Sequence, residues 1–332
     1  MLLPMVTTCA FSLVVTAVLL ALLPAHLPPH LFVAPVTARS NHRHHARQIG
    51  GIAAAPAIFV AIVTSGLLFS IPVSPAVLAA FALLWATGVV DDIRDLPALP
   101  KLGLQLVGAA IAAWGIADGQ PMLGLIFALI VLWLVGFTNV VNFMDGLDLM
   151  TVAGLLPGLA FVAVLPIVSS ADPASGLLGA AGAGALIAFS RSNRPPALIF
   201  LGDSGSLGFG LLTGAAATGV ALSVSPVVAA LPFLYYLLDT ATTLAQRVAR
   251  GENILSAHSR HAYQIARRNG LLPGRISAEV AALNTGLSLL GLALAWAPSL
   301  PVQILALLSG TVAASLLIWR FRSVRPSPAL GD

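Results

Sequence analysis

The chain has 332 residues, of which 58% are hydrophobic and only 8% charged, with a formal net charge of +4. Soluble domains carry about 25% charged residues, so this composition excludes a water-soluble fold and points to an all-α, polytopic integral membrane protein. The single cysteine, Cys9, excludes an intrachain disulfide. Membrane orientation alone accounts for most of the basic excess, with no nucleic-acid partner called for.

Apolar runs long enough to cross a hydrocarbon core of about 30 Å predict spans over 4–24, 50–69, 74–90, 102–117, 122–139, 149–168, 176–190, 205–222, 226–245, 277–296 and 302–320. These ten to eleven helices read as one domain over 1–332, with a motif-bearing core at 39–264 and the last two helices and a basic tail after it. The first run has no basic residues ahead of it and reads as a retained span rather than a cleaved signal. Connections alternate in character. Those at 70–75, 118–121, 169–176, 223–226 and 297–301 contain no Lys or Arg, whereas the intervening ones hold Arg39, Arg43, Arg47, Arg94, Lys101, Arg191, Arg194 and Arg247 to Arg275. By the positive-inside rule the basic connections are cytoplasmic, which puts the N-terminus outside and the C-terminus inside. Stretches rich in Ala and Gly, such as 179–184 and 214–217, suit close helix packing in lipid.

Chemistry must reside in the few polar islands. Arg39 to Gly51 is rich in His and Arg, and an orientation anchor, lipid head-group contact and a catalytic role all remain open for it. After the third span comes Asp91-Asp92-Ile93-Arg94-Asp95, followed by Lys101, the only lysine. Adjacent carboxylates repel, so a cation or a transferable proton is expected between them. A lysine is a compact point charge suited to phosphate oxygens. Next is Asn139-Val140-Val141-Asn142-Phe143-Met144-Asp145-Gly146-Leu147-Asp148, where Asn142, Asp145 and Asp148 recur every three residues and are expected to share one face as a hard oxygen ligand set. Phe200 to Gly208 is Gly-rich and enters a helix directly, an arrangement that offers backbone N–H groups to phosphate. Asp239 lies within the ninth span, where a carboxylate is functional by default and a salt bridge to Arg247 is the competing account. The longest polar connection carries His258-Ser259-Arg260-His261. Its His pair lacks the third protein ligand that zinc requires, and anion binding is the better reading.

In this order the islands resemble those of the polyprenyl-phosphate N-acetylhexosamine-1-phosphate transferases, glycosyltransferase family 4. The resemblance runs from Arg39 to Gln264 and rests on Asp91-Asp92 with Lys101, on Asn139 to Asp148, and on Phe200 to Ser206. The loop Arg250-Gly251-Glu252-Asn253-Ile254 with His258 to Gln264 is similar to the WecA/WbpL-like branch rather than the MraY-like one, which carries adjacent histidines there. Leu149 stands where the family usually has Gly, and His45 to Gly51 departs from the family's first-loop pattern. The resemblance implies that Asn142 and Asp203 hold Mg²⁺, with Mn²⁺ a substitute, and that Lys101 contacts the diphosphate. It further implies that Asp91 and Asp92 handle the lipid phosphate, that Asp145 and Asp148 serve nucleotide binding or catalysis, and that Asn139, His258, Arg260 and His261 meet the substrate. The implied partners are a UDP-sugar donor, undecaprenyl phosphate and the bilayer of a bacterial inner membrane, with the active site on the cytoplasmic face; a homodimer is compatible.

The expected reaction joins a soluble anion to a membrane-bound phosphate, with UMP as leaving group, and needs mainly positioning and charge neutralisation. Direct attack by the lipid phosphate is preferred to a covalent aspartyl intermediate. Two rivals are weaker. Asp91-Asp92-Ile93-Arg94-Asp95 also fits an aspartate-rich prenyltransferase motif, but Gly202-Asp203-Ser204-Gly205 is not the second aspartate-rich repeat that reading needs. A transporter would place its ionisable groups near the bilayer midplane rather than at one surface.

Overall fold

A computed structural model describes residues 1–28, 30–33, 46–117, 124–254, 256, 258–296 and 299–325. Most of the first basic island (34–45), the 118–121 connection, Ala297, Pro298 and the end of the basic tail lie outside the described residues. The elements in order are α1 (Leu2–His26), α2 (Gly50–Phe69), α3 (Pro75–Ile93), α4 (Ala98–Ile116), α5 (Gly124–Met144), α6 (Met150–Val168), α7 (Pro173–Ser192) and α8 (Asp203–Ser223). They continue with α9 (Pro226–Ala230), a 3₁₀ turn (Leu231–Phe233), α10 (Leu234–Ala249), α11 (Ala262–Arg268), α12 (Pro273–Leu294) and α13 (Leu300–Ser323). Among the described residues, eleven helical segments are long and apolar enough to cross a membrane, α9 through α10 counting as one. Among the described residues, β structure is limited to isolated bridges.

Every expected span is present, and most of the ends that carry polar islands extend beyond the expected apolar run. α3 runs through Asp91 and Asp92, α4 begins before Lys101, and α5 continues past Asn139 and Asn142. Asp91, Asp92, Lys101, Asn139, Asn142 and Asp203 therefore lie at helix ends, whereas Asp145, Asp148, His258 and Arg260 lie in connections. A helix does not stop where its apolar side chains do, because its backbone hydrogen bonds continue into the interface. The ninth span departs from one continuous helix: Pro232 lies in the 3₁₀ turn that divides it, where its missing N–H interrupts the α ladder. The polar connection after α10 contains a further short helix, α11, which was not expected.

α8 is the most enclosed span, with 83% of its apolar window buried against 22% for α1. Its small residues explain this. A Cβ added to Gly51 of α2 would lie 2.0 Å from the backbone nitrogen of Gly205, and one added to Gly88 of α3 would lie 2.2 Å from the carbonyl oxygen of Asp203. Backbone thus meets backbone where α2 and α3 reach the start of α8, the small-residue packing suited to lipid. The segment before α2 docks onto the segment before α8: the N–H groups of Gly50 and Gly51 donate to the carbonyls of Phe200 and Leu201 at 3.0 and 2.8 Å. Arg47 closes the end of α1 by donating to the carbonyls of Pro24 and Pro28, each at 3.1 Å. For that one residue of the first island, the structure shows a helix-end tie.

Candidate active site

The ends of α3, α4, α5 and α8 converge on one cluster. Lys101 Nζ bridges Asp91 Oδ2 at 2.8 Å and Asp203 Oδ2 at 2.9 Å. Both carboxylates are largely withdrawn from solvent, and Lys101 lies between them; the cation expected between the adjacent Asp91 and Asp92 instead joins Asp91 to Asp203. The other Asp91 oxygen accepts from the backbone N–H of Leu96 at 2.8 Å, which shapes the turn from α3 to α4. Asn142 Nδ2 donates to Asp203 Oδ1 at 2.9 Å and to Ser206 Oγ at 2.8 Å. Asn139, one turn earlier, donates to Gln105 Oε1 at 2.6 Å and to the carbonyl of Val135 at 2.8 Å. Gln105 was not singled out from the sequence, although it lies one helical turn after Lys101 in an otherwise apolar helix.

Asp92 does something different from its neighbour. Its oxygens accept from the backbone N–H of Asp203 at 2.7 Å and of Ser204 at 3.0 Å. The helix start expected to receive phosphate is therefore occupied by this carboxylate, which replaces the missing intrahelical acceptors of α8. Gly202 makes the approach possible: its φ is +75°, and an added Cβ would lie 2.7 Å from Asp92 Oδ2. No side chain fits there.

The three oxygen-bearing residues expected on one face diverge. Only Asn142 lies inside α5 and reaches Asp203. Asp145, just beyond the helix, accepts from Thr151 Oγ1, and Asp148 Oδ2 accepts from the backbone N–H of Ala197 at 3.2 Å. The helix ends at Met144, so the three-residue rhythm ceases to be a helical face. Burial, together with the charges of Asp203 and Asp92, pushes Asp145 up to about 8, so its carboxyl is mainly protonated at neutral pH.

A cavity of about 380 Å³ opens beside the cluster, lined among others by Lys101, Asn139, Asn142, Phe143, His258 and His261. Cavities of about 510 Å³ occur at the opposite end of α3; the carboxylate lining one of them, Asp172, is consumed in capping α7. The smaller cavity is where the polar groups converge, which is what distinguishes a site from a gap. Its far wall is the connection from α10 to α11. There Arg247, 2% exposed, donates to Glu252 at 3.2 Å and to several carbonyls of the loop, and Glu252 also pairs with Arg260. Arg247 is thus absorbed in the loop's own fold. It is not the partner of Asp239, whose carboxylate instead accepts from Ala262 and lies 3.7 Å from Arg322.

His258 and His261 have ring centres 5.0 Å apart. Burial, then the neighbouring His258 and the charges of Arg322 and Arg247, push His261 down to about 3; His258 is lowered by burial and by Arg247 and Arg260. Neither ring has the positive charge expected of an anion-binding histidine. Arg260 of the same loop has a side chain that is 46% exposed, but it pairs with Glu252 and is not among the residues lining the cavity.

Among the described residues no three His, Cys, Asp or Glu side chains converge as a metal cage. The donor set still fits a hard divalent ion. Mg²⁺ is held by one or two carboxylates and completes its shell with water and phosphate oxygens. Asp203 and Asn142 offer such a set, and both Asp203 oxygens already attract hydrogen-bond donors, Lys101 and Asn142.

Residues 74–221 match the model of a family described as glycosyl transferase family 4. Over that segment, which is less than half of its length, the chain is similar to that family. The matched segment contains Asp91, Asp92, Lys101, Asn139, Asn142, Asp145, Asp148 and Asp203, and stops short of the histidine loop. Among its relatives is the phospho-N-acetylmuramoyl-pentapeptide-transferase of Streptococcus pyogenes serotype M12 (strain MGAS2096), 30% identical over 197 residues covering 53% of this chain and 57% of the relative. Another is the decaprenyl-phosphate N-acetylglucosaminephosphotransferase of Mycolicibacterium smegmatis, 30% identical over 273 residues covering 67% of this chain and 65% of the relative. The chain thus spans somewhat under two thirds of these relatives' lengths. Both kinds of transferase within the family match at the same identity, so the comparison does not separate the two branches.

Proposed function

We propose that this chain transfers an N-acetylhexosamine 1-phosphate from a UDP-sugar to undecaprenyl phosphate, releasing UMP and starting a lipid-linked surface glycan such as O-antigen. The observation that carries this reading is Lys101 bridging Asp91 and Asp203 beside Asn142, at the mouth of a polar cavity and at one end of the spans. A soluble anionic donor and a membrane-bound phosphate meet at such a surface. The reading locates the site on the cytoplasmic face of a bacterial inner membrane, with the N-terminus outside. It prefers the WecA-like branch because His258 and His261 are separated by Ser259 and Arg260 rather than adjacent.

In the reaction an oxygen of the lipid phosphate forms a bond to the sugar-bearing phosphorus, the bond from that phosphorus to the UMP oxygen breaks, and UMP leaves with the electron pair. Mg²⁺ held by Asp203 and Asn142 would neutralise diphosphate charge. Lys101 supplies a fixed positive charge to the same oxygens; such preorganised charge is the main protein contribution to phosphoryl transfer. Direct attack is favoured because the carboxylates are already engaged. Both Asp91 oxygens and both Asp92 oxygens accept hydrogen bonds. Asp145 keeps its proton at neutral pH, and a protonated acid is not a nucleophile. The lipid phosphate needs little help, since a phosphate monoester loses its second proton near pH 6.

Membranes containing the protein, incubated with labelled UDP-sugars and undecaprenyl phosphate, test the reading. UMP release that requires both substrates and a divalent ion is expected. Its absence with every N-acetylhexosamine donor tried rejects the proposal.

A further inference from the structure

The cavity beside the charge cluster has a second polar level. α4 lines it with Lys101, Leu102 and Gln105, and α5 with Asn139, Asn142 and Phe143. These residues are three and four apart, so one stripe of each helix looks into the cavity. α4 starts at the end of the spans where the cluster lies, and α5 finishes there. Gln105 and Asn139 are therefore about one helical turn, or about 5.4 Å, deeper than Lys101 and Asn142. The upper level is charged. The lower one consists of two neutral amides, and the backbone fixes which way they turn. The carbonyl of Val135 can only accept, so Asn139 presents its amino group to it at 2.8 Å, and the same group donates to Gln105 Oε1 at 2.6 Å. Gln105 Nε2 and Asn139 Oδ1 are left over. Among the described residues neither makes a hydrogen bond, and neither atom is sealed from solvent. Gln105 as a whole is 2% exposed, so the opening its amide has is the cavity it lines.

A tie between two membrane helices uses only one half of each amide. The remaining halves are an N–H donor and a C=O acceptor side by side, and polar groups so enclosed are costly unless something pairs with them. Such a pair suits one class of ligand group, the amide O=C–N–H. Its carbonyl takes the N–H of Gln105, and its own N–H goes to Asn139. A phosphate oxygen would meet Asn139 Oδ1 with like partial charge and has Lys101 one turn away; an ammonium group would meet the N–H of Gln105.

We propose that Gln105 and Asn139 form an acetamido subsite of the donor site: Gln105 Nε2 donates to the acetyl carbonyl of the sugar, and Asn139 Oδ1 accepts from its amide N–H. This rests on the transferase reading and deepens it, because it names the residues that read the N-acetyl group. A UDP-N-acetylhexosamine carries the O=C–N–H pattern twice, in the uracil ring and in the acetamido group, and position selects between them. With the diphosphate at Lys101, a group received one helical turn away must be bonded close to it. The acetamido nitrogen is attached to the carbon beside the anomeric one, whereas the whole ribose separates uracil from its phosphate. Leu102 and Phe143 line the same cavity and offer apolar surface to the acetyl methyl.

Calorimetric titration of the full-length protein in detergent tests this without turnover. The wild-type protein is expected to bind UDP-N-acetylglucosamine about 10- to 100-fold more tightly than UDP-glucose, or UDP-N-acetylgalactosamine than UDP-galactose, the worth of two neutral hydrogen bonds. This comparison needs no variant, and indifference to the acetamido group in both pairs overturns the proposal. Q105M keeps the length of the side chain and removes its amide. It is expected to shrink the preference to within about 3-fold while leaving the affinity for UMP unchanged. UMP weakened together with the sugar nucleotides transfers the pair to uracil or to helix packing alone and overturns the acetamido assignment, as does a Q105M protein that keeps the wild-type preference. Wild-type protein that binds none of these uridine nucleotides rejects the transferase reading itself.

Discussion

Replacing Lys101 with Met removes the one cation that separates Asp91 from Asp203 and leaves a side chain of similar length. With contacts of 2.8 and 2.9 Å, each attraction is about 6 kcal/mol at an effective dielectric near 20, before desolvation is subtracted. Breaking a buried ion pair by deleting one partner costs about 3–5 kcal/mol. Here the side chains of Lys101 and Asp203 are 22% and 27% exposed, so water relieves part of the strain and about 2 kcal/mol of lost stability is the better expectation. For a protein of this size that is a drop of several degrees in Tm in detergent. The chemical loss is larger, because removing one preorganised charge from a developing oxyanion costs about 100- to 1000-fold in kcat. UMP release and thermal unfolding of K101M, measured on the same preparation, separate the two effects. K101R retains the charge and is expected to recover stability but not full turnover, since a planar fork does not reproduce a point contact between two carboxylates. A K101M protein that keeps more than a tenth of wild-type turnover refutes the assignment of Lys101 to the reacting phosphates.

Three further outcomes are expected. Asp92→Ala leaves the N–H groups of Asp203 and Ser204 without acceptors and is expected to cost about 1–2 kcal/mol, the range for a lost helix cap. Asp92→Asn retains an acceptor and most of the stability; equal destabilisation of both variants, measured by thermal unfolding, would contradict the capping role. Gly88→Ala drives a methyl group into the Asp203 carbonyl. It is expected to cost about 1–3 kcal/mol by overpacking and to lower turnover by displacing Asp203, whereas Gly136→Ala, with nothing near its added Cβ, is expected to do neither. The Asp145 carboxyl binds its proton more tightly folded than unfolded, since it is raised from 3.8 to about 8. Its contribution to stability is therefore complete below about pH 4 and is lost as the pH rises toward 8. Unfolding scans across that interval should show less pH dependence in D145N than in the wild type, and identical slopes would exclude the raised carboxyl.

Much of this was readable from one sequence for identifiable reasons. Spans were legible because hydrocarbon demands about twenty apolar residues in a row, a property that survives without neighbours. Lys101 was legible because it is the only lysine and follows two adjacent carboxylates. What escaped is what depends on partners distant in the chain. Asp92 was grouped with Asp91, yet the two face different helices, and the cap on α8 joins residues over a hundred positions apart. Asp148 was grouped with Asn142 by a three-residue rhythm that requires the helix to continue past Met144, and it does not. Asp239 was paired with Arg247 by proximity along one helix, whereas its cation comes from the last helix. Thr151, which holds Asp145, has no sequence signal beyond being the next hydroxyl downstream.

The meeting of backbone with backbone at Gly51, Gly88 and the start of α8 divides the site into unequal halves. In one half, bearing Asp91, Asp92 and Asp203, the helices touch backbone to backbone at Gly51 and Gly88, so at those points it can change shape only by parting whole helices. The other half, bearing His258 and Arg260, is a loop whose fold hangs largely on the Arg247 guanidinium. Mutations will therefore spread unevenly over evolutionary time. The helix-held half admits almost none, while the loop half can be rewritten a residue at a time, so under the proposed reaction a lineage could change its donor preference without reinventing its chemistry.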